Sequence, residues 1–255
     1  MWYMNEEREL LLKTFKEYTA RRVRPLARKM EDEEASSRDA LLEMGRLGMF
    51  TMPVPEQYGG TGPDYISWGL LLEELGKEGA TFAFLALLRQ VFNGPMISAC
   101  SEEQIRKYVT PAVKGEILIG LAANEPAGGG NMFEYQTTAV RDGDDWVING
   151  GKVLVTQIGE VDYWMVLALT RDQVNFMTME GIDIFFVPAS DPGVKGGHIE
   201  HKVGLNGSMT GSIYFEKCSC IRGRPDAGTG RPSNGIWAGT ERICGHRPWR
   251  RGKDD

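Results

Sequence analysis

The sequence predicts an α+β protein. An N-terminal all-helical bundle (residues 1–116) is followed by a small antiparallel β-barrel or sandwich (residues 117–221) and an irregular Gly/Pro/Arg-rich tail (residues 222–255). Three observations predict this. Up to Gly115 apolar residues recur at helical spacing, and the segments Tyr65 to Lys77 and Ala80 to Phe92 are too apolar for a surface helix with one narrow stripe. After Gly115 the pattern changes to short alternating runs separated by turns. Between the two lies Leu121 to Asn131, reading LAANEPAGGGN. Its glycines let a backbone approach a flat or anionic ligand, because no Cβ intervenes and several N–H groups stay free. The junction reads either as a cofactor cradle or as an ordinary connection between helix and strand.

Taken in order, the first helix spans Asn5 to about Val23, with Leu10, Leu11, Phe15 and Tyr18 at helical spacing and Asn5 as its cap. The acidic run Glu31 to Glu34 reads as a solvated linker. A second helix then presents Leu41, Leu42, Met44, Leu47 and Phe50 as its apolar face. Met52 to Pro63, with Pro53, Pro55, Gly59 and Gly60, must be a loop. The two central helices follow, and the run Phe82, Phe84, Leu85, Leu87, Leu88 reads by default as core. Ser101 caps a further helix, with Glu102 and Glu103 in its favoured first turn. Strands are expected at Ile117–Ala122, Thr137–Arg141, Trp146–Asn149, Lys152–Val155, Tyr163–Leu169, Ile182–Val187 and Ser212–Phe215. The turns Asp142 to Asp145 (DGDD) and Asn149 to Gly151 (NGG) predict hairpins.

Composition narrows the classes of function. Hydrophobic residues at 42% and charged residues at 25% describe a globular chain, and its 255 residues can bury a sizeable core. A net charge of −6 argues against nucleic acid, which calls for clustered Lys and Arg. No run of residues reads as a signal peptide or membrane span, and Cys100, Cys218, Cys220 and Cys244 form no CxxC pair, so the expectation is a reduced, cytoplasmic protein. His198 and His201 flank Glu200, but residues three apart on a strand face opposite sides, which argues against a metal site. Cys218 and Cys220 share a strand face without further ligands and read as inert or exposed thiols.

Five segments, in order, resemble motifs of the flavin-dependent acyl-CoA dehydrogenases. NEPAGGGN (Asn124 to Asn131) stands where that family has T-E-P-x-x-G-S-D, and MPVPEQYGGTG (Met52 to Gly62) and LLLEELGKEGA (Leu70 to Ala80) look like its VPEEYGG turn and the helix after it. INGGKVLVTQ (Ile148 to Gln157) resembles I-N-G-x-K-x-W-I-T-N. KVGLNGSMTGSIYFEKC (Lys202 to Cys218) resembles K-x-G-x-R-x-S-x-T-x-x-(L/V)-x-F-x-x-V. The resemblance covers nearly all of residues 5 to 222.

It implies α,β-dehydrogenation of an acyl-CoA thioester, with the substrate's β-hydrogen passing as hydride to N5 of FAD. The cofactor-binding residues it implies are Leu121, Ala123, Asn124, Gly129, Gly130, Leu154, Val155 and Thr156, with the Thr156 hydroxyl near N5. Without the resemblance Thr156 would read as a β-branched strand residue packing a face. For the substrate it implies Gly130 on the CoA arm and Ala83 and Leu87 toward the acyl chain. Glu125 belongs to the motif as a structural residue of the loop. The sequence departs from the pattern at Asn124 (for threonine), Gly130 (for serine), Asn131 (for aspartate), Leu154 (for tryptophan or phenylalanine) and Asn206 (for arginine).

In the family a second helical bundle follows the barrel, completes the flavin site, forms the subunit interface and carries the catalytic glutamate. Residues Arg222 to Asp255 show no helical period, so the expectation is a chain without that bundle, with no catalytic residue of its own, unable to turn over in isolation. Glu241, Arg242 and Ile243 resemble a helix start near the family's base, but Gly245 and Pro248 follow at once. The partners implied are an acyl-CoA, an electron-transfer flavoprotein and further copies of the complete chain. Alternatives are a non-catalytic acyl-CoA or flavin-binding module, an enoyl-CoA reductase, and a flavin oxidase or monooxygenase.

Overall fold

The structure is a computed structural model and describes residues 3–33, 35–62, 64–143, 145–170 and 181–222. Expectations that fall on Glu34, Pro63, Asp144 and residues 223–255, Cys244 and Glu241 to Ile243 among them, lie outside the described residues. The chain is a mixed α+β fold in which helices come first and a curled, half-barrel sheet follows.

Helix α1 (Glu6–Tyr18) starts at the expected cap, the Asn5 side-chain oxygen accepting the Arg8 N–H at 2.9 Å. It does not run straight on. A π turn, Thr19–Val23, joins it to α2 (Arg24–Glu33). Pro25 has no N–H to donate, and the wider turn just before it shifts the hydrogen-bond register at that point. The acidic run is therefore no linker: Glu31 lies in α2, and its carboxylate accepts the Asn206 N–H at 2.9 Å and the Thr81 hydroxyl. Helix α3 (Arg38–Arg46) buries Leu41, Leu42 and Met44, but Leu47 is exposed, because the chain leaves the helix at Arg46 and turns at Gly48.

Helices α4 (Tyr65–Glu78) and α5 (Ala80–Ala99) meet at Gly79, and α5 runs on past Phe92, where the sequence reading stopped it. Leu71, Leu75, Phe82, Leu85 and Ala86 are all buried between them and their neighbours, the leucines and the phenylalanine each worth roughly 1.5–3 kcal/mol. Ser101 caps α6 (Glu102–Gln104) in a reciprocal capping box, and a π turn (Ile105–Val109) leads into α7 (Thr110–Val113).

The sheet comprises β1 (Ile119–Ala122), β2 (Thr138–Asp142), β3 (Asp145–Thr156), β4 (Tyr163–Leu169), β5 (Ile182–Pro188), β6 (Val194–Ile199) and β7 (Thr210–Arg222). Its order is β1-β4-β2-β3-β7-β5, β6 pairs with β7, and β5 pairs back to β4, so the sheet curls onto itself. It is not purely antiparallel. β1 runs parallel to β4, Ile119 opposite Tyr163, because the β2–β3 hairpin is inserted between them in sequence.

The Asp142 to Asp145 turn makes the expected hairpin, those two residues ending the β2–β3 ladder. The NGG segment does not: β3 passes through it as one strand. Gly150 is at φ +149°, and a Cβ there would stand 2.7 Å from Thr137 Cα, so the glycine permits close approach of Thr137, just before β2, instead of a reversal. Asn149 accepts the Lys217 N–H at 2.9 Å across a register slip between β3 and β7. β6 and most of β7 were not expected from sequence, since their polar residues and glycines break the alternation. His201 lies beyond the end of β6, and His198 alone belongs to that strand.

Strands β4 and β5 are buried on both faces. Trp164, Val166, Ala168, Phe185 and Val187 join a core shared with α1 to α5. Met165, Leu167, Ile184 and Phe186 join a second core with Phe92, Met96, Tyr108 and Val109. Tyr108 stacks on Phe186 with ring centroids 4.3 Å apart. This double burial fixes the sheet against the helices and sets where β1 ends and the junction begins.

Candidate functional site

Leu121 sits on β1 opposite Met165, and after Ala122 the chain leaves the sheet and crosses onto β3. The Asn124 carbonyl accepts the Val153 N–H at 2.8 Å, and the Ala123 carbonyl accepts from the Lys152 ammonium at 3.0 Å. Glu125 and Gly128 exchange two backbone hydrogen bonds of 2.8 and 3.1 Å, closing a tight turn over Pro126 and Ala127. The Tyr135 hydroxyl donates to the Gly129 carbonyl at 3.3 Å. Gly130 is exposed, with nothing within 4 Å of where a Cβ would stand.

One buried ion pair holds this segment. Lys152, wholly buried, donates to Glu125 Oε1 at 2.7 Å, and its ammonium lies 4.3 Å from the Tyr135 ring centroid. The Glu125 carboxylate also accepts the Gln136 N–H at 2.6 Å and the Thr137 N–H at 3.1 Å. Both ends of the 126–135 loop are thus fastened to β3 through two side chains. Burial acts to raise the Glu125 pKa, but the hydrogen bonds from Lys152 and the two following amides outweigh it and hold the carboxyl below its usual range. Burial pulls Lys152 down to about 8 against the opposing pull of Glu125, so at neutral pH both are charged. Glu125 therefore has the loop-structural place that its motif implied. The part played by Lys152 was missed. Its signal was the strand period, which places Lys152 on the inward face with Ile148, where a cation needs a buried carboxylate.

At the end of β3 the register against β7 slips between Lys152 and Val155. Leu154 takes φ +54°, which turns its side chain outward, 58% exposed, while Val155 points into the core. Val155 can therefore offer only its backbone to a ligand. Thr156 is half-buried, and its hydroxyl has no hydrogen-bond partner among the described residues. The structure thus brings Leu121, Ala123, Asn124 and Gly129 together with β3, whose end presents Leu154 and Thr156, and leaves Gly130 open on the loop. Ala83 and Leu87 lie one turn apart on α5, Ala83 partly buried near Gly76 of α4 and Leu87 41% exposed. The link from α5 to the end of β3 runs through neither of them but through Arg89, the one charged residue of that helix, which donates to Gln157. Sequence reasoning passed over Arg89, Gln157 and Glu160; a lone charge in an apolar helix was the available signal.

The described residues include no group of three or more His, Cys, Asp or Glu that could hold a metal, and no helix among them is long and apolar enough to cross a membrane. Burial pushes the Cys218 and Cys220 thiols up to about 11 and about 12.

Residues 5–116 match the family model for the acyl-CoA dehydrogenase N-terminal domain, and residues 120–218 match that for the middle domain. The human mitochondrial short-chain specific acyl-CoA dehydrogenase is 32% identical over 88% of this chain and 55% of its own length. The chain thus spans about half the length of the curated relatives it matches. Among solved structures, an acyl-CoA dehydrogenase from Geobacillus kaustophilus superposes with a TM-score of 0.75 at 28% identity, covering 85% of this chain and 57% of that one. The FAD complex of PigA superposes with a TM-score of 0.77, covering 89% and 60%, and at 21% identity shares the fold alone. With both domain models matched in order and the curated relatives agreeing, the chain belongs to the acyl-CoA dehydrogenase family.

Proposed function

We propose that this chain provides the flavin- and acyl-CoA-facing half of an FAD-dependent acyl-CoA dehydrogenase that removes the α- and β-hydrogens of an acyl thioester. The observation that carries the reading is the fastened junction beside the bulged end of β3. The open backbone of Gly130 on the loop, with the outward Leu154 and the half-buried Thr156 at the end of β3, offers groups that suit a flat, anionic, hydrogen-bonding ring system.

FAD bound there supplies the hydride acceptor for the substrate's β-hydrogen. The protein's own groups do the rest. Leu154 gives the ring an apolar face and excludes water, while Thr156 donates a hydrogen bond to it. The backbone of Ala123, Asn124 and Gly129, with that of Leu121 and Val155, shapes the cradle, and the Gly130 N–H meets the CoA arm. Ala83 and Leu87 border the acyl chain. Glu125 is committed to Lys152 and two amides, so it does not accept the α-proton; in this reading the base lies outside the described residues. An electron-transfer flavoprotein is the acceptor that fits this chemistry, and the complete protein forms a homo-oligomer.

The test is the visible spectrum of the purified chain after addition of FAD and removal of free cofactor, followed by titration with an acyl-CoA. A retained flavin band that Thr156→Val shifts and acyl-CoA perturbs is the expected result. A folded chain that stays colourless would overturn the proposal.

A further inference from the structure

The buried polar groups that the Lys152–Glu125 pair does not use converge where α5, β1, the end of β3 and the start of α3 meet. Arg89, buried in the middle of α5, donates from Nη1 to the Ile119 carbonyl at 2.9 Å, from Nη2 to Gln157 Oε1, and from Nε to the Leu85 carbonyl at 3.3 Å. Gln157 is wholly buried, and its Nε2 points the other way, to Glu160 Oε2 at 3.4 Å. The Glu160 carboxylate is held in turn by the Ser37 N–H at 2.9 Å and the Ser37 hydroxyl at 2.8 Å. The Gln157 amide thus lies between a cation at its oxygen and an anion at its NH2, which fixes its orientation.

That orientation matters because of the backbone. Gln157 is at φ +67°, a left-handed conformation that costs a non-glycine residue roughly 1–2 kcal/mol. Both its N–H and that of Ile158 turn onto the Met209 carbonyl, at 2.9 and 3.2 Å, ending the strand directly after Thr156. A strained residue persists where its surroundings over-determine it, and here the surroundings are Arg89 and Glu160.

We propose that Arg89 is a positioning residue, which through Gln157 holds the end of β3 in the shape that presents Thr156 to the flavin, and so ties the acyl-side helix α5 to the flavin side of the site. The proposal rests on the functional reading above for the identity of the ligand. It does not rest on it for the mechanical link.

The experiment compares the full chain with Arg89→Met, Gln157→Met and the double variant, by amide hydrogen exchange resolved to residues 153–160. Loss of a hydrogen bond to a charged group should speed exchange at residues 156–158 by about tenfold or more, beyond any change in α5 and β4. The double variant should exchange no faster there than the worse single variant. Exchange that rises uniformly, or single effects that add, would overturn the link and leave Arg89 as a general structural tie. Should Arg89→Met fail to fold, Arg89→Lys, which cannot hold all three acceptors at once, reads the same residues. In the FAD-loaded chain the Gln157→Met substitution should shift the flavin band. A wild-type chain that holds no flavin would refute the functional reading and the flavin half of this proposal, while exchange still decides the mechanical half.

Discussion

Replacing Lys152 by methionine removes the cation from the centre of the junction while nearly keeping side-chain volume. Lys152 and Glu125 are both almost wholly buried, so the substitution leaves an uncompensated carboxylate in the core. Breaking a buried pair from one side costs roughly 3–5 kcal/mol. The Gln136 and Thr137 amides still reach Glu125, so about 3 kcal/mol, the lower end of that range, is expected. The pH dependence has a definite sign. In the wild type the Glu125 pKa is held below its unfolded value of 4.5, so its contribution is fully present above that pH and is lost as pH falls through the lower folded value. In Lys152→Met the largest of the opposing hydrogen bonds is gone, so the folded Glu125 pKa moves upward from its wild-type position. The folded variant then binds a proton more readily than the folded wild type, so its deficit shrinks as the solution is made mildly acidic. Urea unfolding followed by far-UV circular dichroism, at neutral and mildly acidic pH, measures both effects. The double variant Lys152→Met with Glu125→Gln should recover much of the loss. A single variant as stable as wild type at neutral pH, or a deficit that grows in acid, would refute the reasoning.

Three further outcomes follow from the packing. A Cβ on Gly45 would stand 2.4 Å from Gly115 Cα, backbone that cannot swing aside, so Gly45→Ala should cost about 1–3 kcal/mol and lower the melting temperature; an unchanged melt would mean that α3 is seated elsewhere. Asp64 caps α4 through the Ser67 N–H at 3.1 Å and pairs with Arg8 at 3.0 Å, so Asp64→Ala should cost about 1–2 kcal/mol. Asp64→Asn should recover part of that, keeping the cap but not the ion pair, and equal losses in the two variants would assign the effect to the pair alone. Burial pushes the thiols of Cys100, Cys218 and Cys220 up to about 12, 11 and 12. Iodoacetamide at neutral pH should therefore label them slowly in the folded chain and rapidly in urea, as read by peptide mapping; fast labelling at Cys218 without denaturant would contradict its burial.

The helix caps at Asn5 and Ser101, the DGDD hairpin, and strands β4 and β5 were legible because each rests on neighbours within a few residues: a side-chain oxygen before an apolar period, a glycine turn, a run of β-branched and aromatic side chains. The π turn before α2 and the passage of β3 through NGG were not legible, since each turns on one missing donor or one close contact that periodicity does not show. Pro25 withholds an N–H from the turn behind it, and Thr137 occupies the space beside Gly150. The acidic residue Glu31 looked solvated because its partner, Asn206, lies far along the chain.

The sequence by itself determined the order of helices and strands, the place of the glycine-rich junction between them, and the family, because periodicity and motif spacing are carried by consecutive residues. Only the tertiary structure decided which buried charges belong together. Glu125 with Lys152, and Arg89 with Gln157 and Glu160, are joined across strand, loop and helix. A charge removed from water must find its partner wherever the packed chain brings one, and no local pattern records where that is.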